Sequence, residues 1–288
     1  MEKRSIREVQ ASMKARRIIK QVLLALIIYA VAIVYFSPIL YMFLTGFKTE
    51  AQAVSPSIFF KPTLVTYQKV LGDPTMHQYL RNSLFQVFFG TLISLCLGIP
   101  AAYGLVFGKF KKRDSAGKMY FWFITTIVLP PVAVLIPLFI WYQKFRLINT
   151  PYGVLAAYIG FHIPIVVWMV HSFFSDLPRE IFEAAEIDGC SKFQRLTRIA
   201  IPLARTGIIS AALLVAVFIW DEFFLGFNLT GNPTATLPVY MSRFREQQGQ
   251  FVAQLSASST ISVLPAVILG WMTQKALVKG LVAGAVKG

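Results

Sequence analysis

Long runs of residues without Lys, Arg, Asp or Glu dominate this chain of 288 residues. They cover residues 21–47, 82–108, 119–143, 147–175 and 247–274, and a sixth, 206–242, is interrupted only by Asp221 and Glu222. A helix needs about 20 mostly apolar residues to cross a bilayer, and each run is long enough. Inside lipid the backbone polar groups have to be satisfied within the segment, which leaves helices or closed barrels. The runs lack the short apolar–polar alternation of barrel strands. The expected fold is therefore all-α, a polytopic integral membrane bundle of six transmembrane helices. These helices are predicted near residues 18–47, 81–107, 119–144, 152–174, 203–229 and 254–275.

The net charge of +15 would point to nucleic acid in a soluble protein. The positive-inside rule gives a simpler explanation, and no nucleic-acid partner is expected. Of the 28 Lys and Arg residues, seven precede the first run, five lie between the second and third, five between the fourth and fifth, and three in the tail. Eight fall on the other side. This asymmetry predicts both termini in the cytosol. The first run is longer than a signal-peptide core and lacks a small-residue cleavage site, so it reads as a retained helix. Cys96 lies in an apolar run and Cys190 in a charged segment, environments that argue against a disulfide.

The chain divides into a basic cytosolic N-terminus (1–17), a transmembrane domain (18–275) and a cytosolic tail (276–288). Within the domain, 48–80 and 231–254 are expected as outer loops and 178–202 as a cytosolic helical segment. Pro56, Pro62, Gly72 and Asp73-Pro74 read as turn signals in the first loop. Pro130-Pro131 and Pro137 predict a kink or break in the third helix, because proline removes a hydrogen bond and clashes with the preceding turn.

Residues 178–202 are charged and lie between apolar runs. Pro178 suits a helix N1 position with Asp176 as a cap. Glu180, Glu183 and Glu186 fit early turns, where the dipole favours acids. Ala184 and Ala185 offer a small, smooth face, and Gly189 is placed to stop the helix. Lys192, Arg195 and Arg198 follow on a second short helix, separated from the fifth span by Pro202. On spacing alone this is either a solvated hairpin or a docking element.

Glu183-Ala184-Ala185, Gly189 and Ile199-Ala200-Ile201-Pro202 match the pattern Glu-Ala-Ala-x3-Gly-x9-Ile-x-Leu-Pro except for Ile201. With this segment the chain resembles the permease subunits of ABC importers. The C-terminal residues Gly280 to Gly288 are similar to the Gly-Leu-Thr-Ala-Gly-Ala-Val-Lys-Gly ending of carbohydrate-importer permeases, with Val282 for Thr. Leu255-Ser256-Ala257-Ser258-Ser259, the stretch Leu44 to Glu50, and Trp220-Asp221-Glu222-Phe223 also fit. The resemblance covers nearly the whole chain and points to the second, six-helix permease of maltose-type systems. It implies an ABC importer permease fold and alternating-access transport of a sugar, oligosaccharide or polyol. The implied partners are a second permease, two ATPase subunits, an extracytoplasmic solute-binding protein and membrane lipid, in a bacterial or archaeal cytoplasmic membrane. Residues Glu183, Ala184, Ala185, Gly189, Ile199 and Pro202 would couple to an ATPase, and the tail would approach the ATPases. Arg243, Phe244, Arg245, Gln247 and Gln248 of the loop 231–254 would reach the binding protein.

Asp221 and Glu222 are costly inside an apolar run and stand out as functional candidates. They lie about 24 Å along the helix from Arg205. They are either structural hydrogen-bond partners of a neighbouring helix or contacts for substrate hydroxyls. Trp220, Trp168 and Tyr103 are candidates for stacking on a sugar; Trp122, Trp141 and Trp271 fit the membrane interface. His162 and His171 read as hydrogen-bonding side chains inside the bundle. No phosphate-cradling Gly-x4-Gly-Lys-Ser/Thr loop occurs, and no Cys/His spacing fits a metal. The chain is expected to bind no cofactor itself and not to be an enzyme, with ATP and Mg used by the partner ATPases. Alternatives are a permease for a polyamine or phosphoester, or an integral membrane transferase.

Overall fold

The computed structural model describes residues 2–110, 114–246 and 251–285. Among these there is no strand. The chain packs as two units, Met1–Val70 with Phe251–Thr260 and Leu71–Gln250 with Ile261–Gly288.

The first unit holds α1 (Glu2–Thr45), α2 (Glu50–Ala53), α3 (Val65–Leu71) up to Val70, and the start of the last helix, α13 (Val252–Ala285). The apolar stretch of α1 is exposed over most of its length, and only Thr45 at its end is buried. Lys48, only 1% exposed, organises the turn that follows. Its Nζ donates to the carbonyls of Ser57 (2.7 Å) and Ser55 (3.3 Å) and lies over the rings of Tyr41 and Phe60. A buried ammonium is tolerable only with such partners. Thr49 and Gln52 form a capping box on α2. The Glu50 carboxylate accepts the backbone N–H groups of Ala253 (3.0 Å) and Gln254 (2.9 Å), where a helix start favours negative charge.

The second unit is built on α4 (Pro74–Phe107), α7 (Pro151–Ser175) and α10 (Arg205–Trp220), which pack on one another. Membrane helices approach closely where small residues face the contact. On α4 these are Ser83 and, at four-residue spacing, Gly90, Ser94, Gly98 and Ala102, all buried. A Cβ at Gly98 would overlap the Val166 side chain, and one at Gly207 the Phe173 ring. Overpacking a tight contact costs roughly 1–3 kcal/mol. Gly98→Ala is therefore expected to lower the thermal midpoint of the purified protein, and an unchanged midpoint would contradict this contact.

The third predicted span is broken where its paired prolines stand. α5 (Ser115–Val128) and α6 (Pro131–Lys144) meet at 95°. Leu129 and Pro130 are both extended, because proline restricts the residue before it. Pro137 stays inside α6 without a break. The fifth predicted span, 203–229, is shorter than expected. α9 (Lys192–Leu203) turns by 82° into α10, with the bend at Ala204 rather than Pro202. α10 ends at Trp220, and α11 (Phe224–Leu229) is separate.

By length and composition α1, α4 and α7 can each cross a membrane. The count reaches five when each bent pair is taken as one span, and the apolar segment Val252–Ile268 of α13 is shorter.

Both outer-loop expectations change in detail. Helix two begins at Pro74, not near 81, because Asp73 accepts the Thr75 N–H (2.8 Å) as an N-cap and Pro74 takes N1. The loop 231–254 contains α12 (Leu237–Glu246).

Candidate functional site

The charged segment 178–202 forms a helical hairpin on the C-terminal end of α4. Its first limb is α8 (Arg179–Ile187). Pro178 occupies the N-cap position rather than N1, and Asp176 closes α7 as its C-cap. α8 turns Phe182 and Ala185 inward and leaves Glu180, Glu183, Ala184 and Ile187 exposed. The expected Ala184–Ala185 face is thus split, with Ala185 serving the packing of this chain. Phe182 stacks on Phe107 at 4.0 Å between ring centroids and lies 6.3 Å from Tyr103. Tyr103 and Phe107 also contact Phe174. An aromatic cluster from α4, α7 and α8 therefore anchors the hairpin. Tyr103, a candidate for sugar stacking, belongs to this anchor at the C-terminal end of α4.

Gly189 ends the first limb with φ +79°. The Cys190 N–H reaches the Ala185 carbonyl (2.9 Å) and the Gly189 N–H that of Glu186 (3.1 Å), a left-handed C-terminal closure that favours glycine. Ser191 then starts α9 with a capping box to Gln194. α9 contains a π-helical turn, Arg195–Ala200; Ile199 is half-buried and Pro202 exposed.

Glu186 falls in the last turn of α8, not an early one, where the dipole disfavours an acid. Two cations compensate. Lys109 Nζ donates to Oε1 (2.8 Å), and Arg195 Nη1 to Oε2 (2.7 Å). These hydrogen bonds, from Lys109 first and Arg195 second, with the charges behind them, hold the carboxyl at about 2, below its ordinary 4.5. With a depressed folded-state value, the ion pairs stabilise the hairpin above pH 4.5 and lose that effect as pH falls through about 2. The thermal midpoint difference between wild type and Glu186→Gln is expected to stay constant from about pH 8 to about pH 5 and shrink at lower pH. A difference that already closes near neutral pH would contradict the pairing.

The exposed face of the hairpin carries large apolar side chains, with Ile187 86% and Phe193 72% exposed. Apolar residues clustered on a charged segment mark an interaction surface.

The other candidates separate in space. Trp220 is 3% exposed, and its Nε1 donates to the Ser262 carbonyl (3.0 Å), so its ring packs between helices rather than lining a path. Glu222 accepts the N–H groups of Leu225 (2.8 Å) and Gly226 (3.0 Å). It caps α11, and its backbone carbonyl accepts the hydroxyl of Tyr158 on the neighbouring α7 (3.5 Å). Asp221 and Trp168 are exposed. His162 Nδ1 lies 2.6 Å from the Tyr158 carbonyl, a hydrogen bond within α7, and His171 stacks on Tyr120.

In the loop 231–254, Arg243 is already engaged. Its guanidinium donates to Asn232 Oδ1 (2.6 Å) and the Tyr79 hydroxyl and lies over the Tyr79 ring. Tyr240 donates to Asp73 (2.7 Å), and Phe244 meets Tyr240 edge-on. Burial pushes the Asp73 carboxyl up, but the bonds from Tyr240 and Thr75 outweigh it and leave it lowered. Arg243, expected to reach the binding protein, thus also fixes α12 to α4. Arg245 belongs to α12; Gln247 and Gln248 lie outside the described residues.

Apolar helices of membrane length, together with a charged hairpin that exposes apolar side chains, define an integral membrane protein. Residues 94–280 match the family of binding-protein-dependent transport system inner membrane components, and the chain belongs to that family. It is 32% identical over 276 residues to the trehalose/maltose transport system permease protein of Thermococcus litoralis, covering 94% of this chain and 98% of that relative. It is 32% identical over 258 residues to the sulfoquinovosyl glycerol transport system permease protein of Agrobacterium fabrum, covering 87% and 88%. A chain in the crystal structure of a bacterial ABC transporter that imports the acidic polysaccharide alginate shares the fold. Its TM-score is 0.73 at 23% identity, with 89% of this chain and 96% of that chain covered.

Proposed function

We propose that this chain is the second permease of an ATP-driven importer that moves a carbohydrate (a sugar, oligosaccharide or polyol) into the cytoplasm by alternating access. The observation that carries this reading is the hairpin 178–202, which presents Glu183, Ala184, Ile187 and Gly189 outward while Phe182 and Glu186 tie it to α4. A partner that moves this surface moves the end of a membrane-length helix. Family membership and the sugar and glycoside transport named for both relatives support it.

In this mechanism closure of two cytosolic ATPase subunits, which bind ATP and Mg, displaces the hairpin. α4 follows as a rigid lever, because the aromatic anchor and the Lys109–Glu186–Arg195 pairs resist shear at the joint. The bends at 129–130 and 204 divide the other helices into segments that can tilt separately. A second permease completes the pathway, and an extracytoplasmic binding protein delivers substrate to the outer side. Both termini lie in the cytosol, as the Lys/Arg distribution requires. Asp221, exposed at the broken end of α10, would accept sugar hydroxyls.

Co-expression with candidate ATPase subunits tests this reading. The permease is expected to co-purify with them, and loaded binding protein is expected to stimulate their ATP hydrolysis in liposomes. A permease that purifies alone and leaves ATP hydrolysis unaffected would overturn it.

A further inference from the structure

The end of α4 and the hairpin enclose a cavity of about 320 Å³. Its apolar wall includes Tyr103 and Phe107 from α4 and Phe193 from α9, and its charged groups are Lys109, Lys192 and Arg195 against the single carboxylate of Glu186. Both Glu186 oxygens are occupied, one by Lys109 and one by Arg195. Two donors are left over. Lys192 has no salt bridge among the described residues, and Arg195 Nε is buried without an acceptor. Buried donors in folded proteins are nearly always satisfied, so an unsatisfied buried nitrogen on a residue that lines the cavity points to an acceptor that the isolated chain lacks, reached when the lining side chains shift. Arg195 also opens the π-helical turn, a distortion that often accompanies a functional position.

We propose that this cavity is a socket for an acidic side chain of the ATPase subunit. The incoming carboxylate accepts hydrogen bonds from Arg195 Nε and Lys192, and the aromatic wall covers the apolar residues beside it. The proposal rests on the coupling role given above for the hairpin. Charge complementarity selects an acid, because the cavity holds three cations and one committed carboxylate. Continuity selects the ATPase as its source: Phe193 lines the cavity and is also 72% exposed, so the socket opens onto the face that the hairpin offers for docking. Gly104 supplies the open part of the wall, since a Cβ placed there meets nothing within 4 Å.

The test uses the full transporter with Cys96 and Cys190 replaced by Ser. A photo-crosslinker is attached at Gly104→Cys, inside the cavity, or at Ala184→Cys, on the exposed face of α8. Both are expected to crosslink to the ATPase subunit, with the Gly104 adduct on a peptide containing Asp or Glu. Lys192→Glu, at an exposed position, is expected to weaken ATPase binding about tenfold. Replacing that Asp or Glu with Lys is expected to restore it. Crosslinking from Ala184 without crosslinking from Gly104, together with unchanged binding by Lys192→Glu, would overturn the socket and leave hairpin docking intact. Failure at both positions would overturn docking itself. A phospholipid adduct at Gly104 in place of an ATPase peptide would also overturn the socket.

Discussion

Replacing Gly189 with valine is expected to abolish substrate-stimulated ATP hydrolysis by the assembled transporter. Gly189 has φ +79°, where a β-branched residue is a genuine outlier and a left-handed backbone costs roughly 1–2 kcal/mol for an L-residue. The strain is relieved by reopening the turn. That breaks the Cys190–Ala185 and Gly189–Glu186 hydrogen bonds and separates α8 from α9. Glu186 would then lose Arg195, and the outward face of the hairpin would lose its shape. Asparagine tolerates the left-handed region, so Gly189→Asn is expected to keep most of the coupling. Glu183→Lys reverses an exposed charge on that face without touching the turn and is also expected to abolish coupling. The rates are read in proteoliposomes with and without loaded binding protein. Full stimulation in both Gly189→Val and Glu183→Lys would sink the docking role.

Phe182→Ala should uncouple the joint from the other side. Phe182 is 3% exposed and stacks on Phe107, and removing a buried phenylalanine ring costs about 3–5 kcal/mol. The loss falls on one contact, between a nine-residue helix and α4. The hairpin is expected to keep its exposed face and so its ATPase, while force no longer reaches α4. ATP hydrolysis should persist while uptake is lost. Phe182→Leu, which refills most of the space, is expected to retain much of the uptake. Equal loss of hydrolysis and uptake in Phe182→Ala, with normal assembly, would show that the ring is not the mechanical link.

Much of this was legible in the sequence for a physical reason. The apolar runs report the solvent around the helices, and the glycine after Glu183-Ala184-Ala185 reports a backbone angle. The break at Pro130-Pro131 follows from local sterics. What escaped depends on distant contacts. α12 lies in a polar stretch and is held by Leu237 to Ser83, Tyr240 to Asp73 and Arg243 to Tyr79, each more than 150 residues apart in sequence. The break after Trp220 has no proline or glycine to announce it; the acidic pair was its signal, since Glu222 caps the next short helix. Nothing local shows that Phe107, Phe174 and Phe182 surround Tyr103. Glu186 could have been placed better: a helix that stops at Gly189 puts an acid three residues earlier in its last turn, where it needs cationic partners.

The most direct measurement is uptake of labelled trehalose or maltose into proteoliposomes containing both permeases and the ATPase subunits, with binding protein outside and ATP inside. Uptake that requires ATP and binding protein, and that disappears in Gly189→Val while the complex still assembles, is the expected result. Wild-type uptake that proceeds without the ATPase subunits, or is unchanged in Gly189→Val, would contradict coupling through residues 178–202.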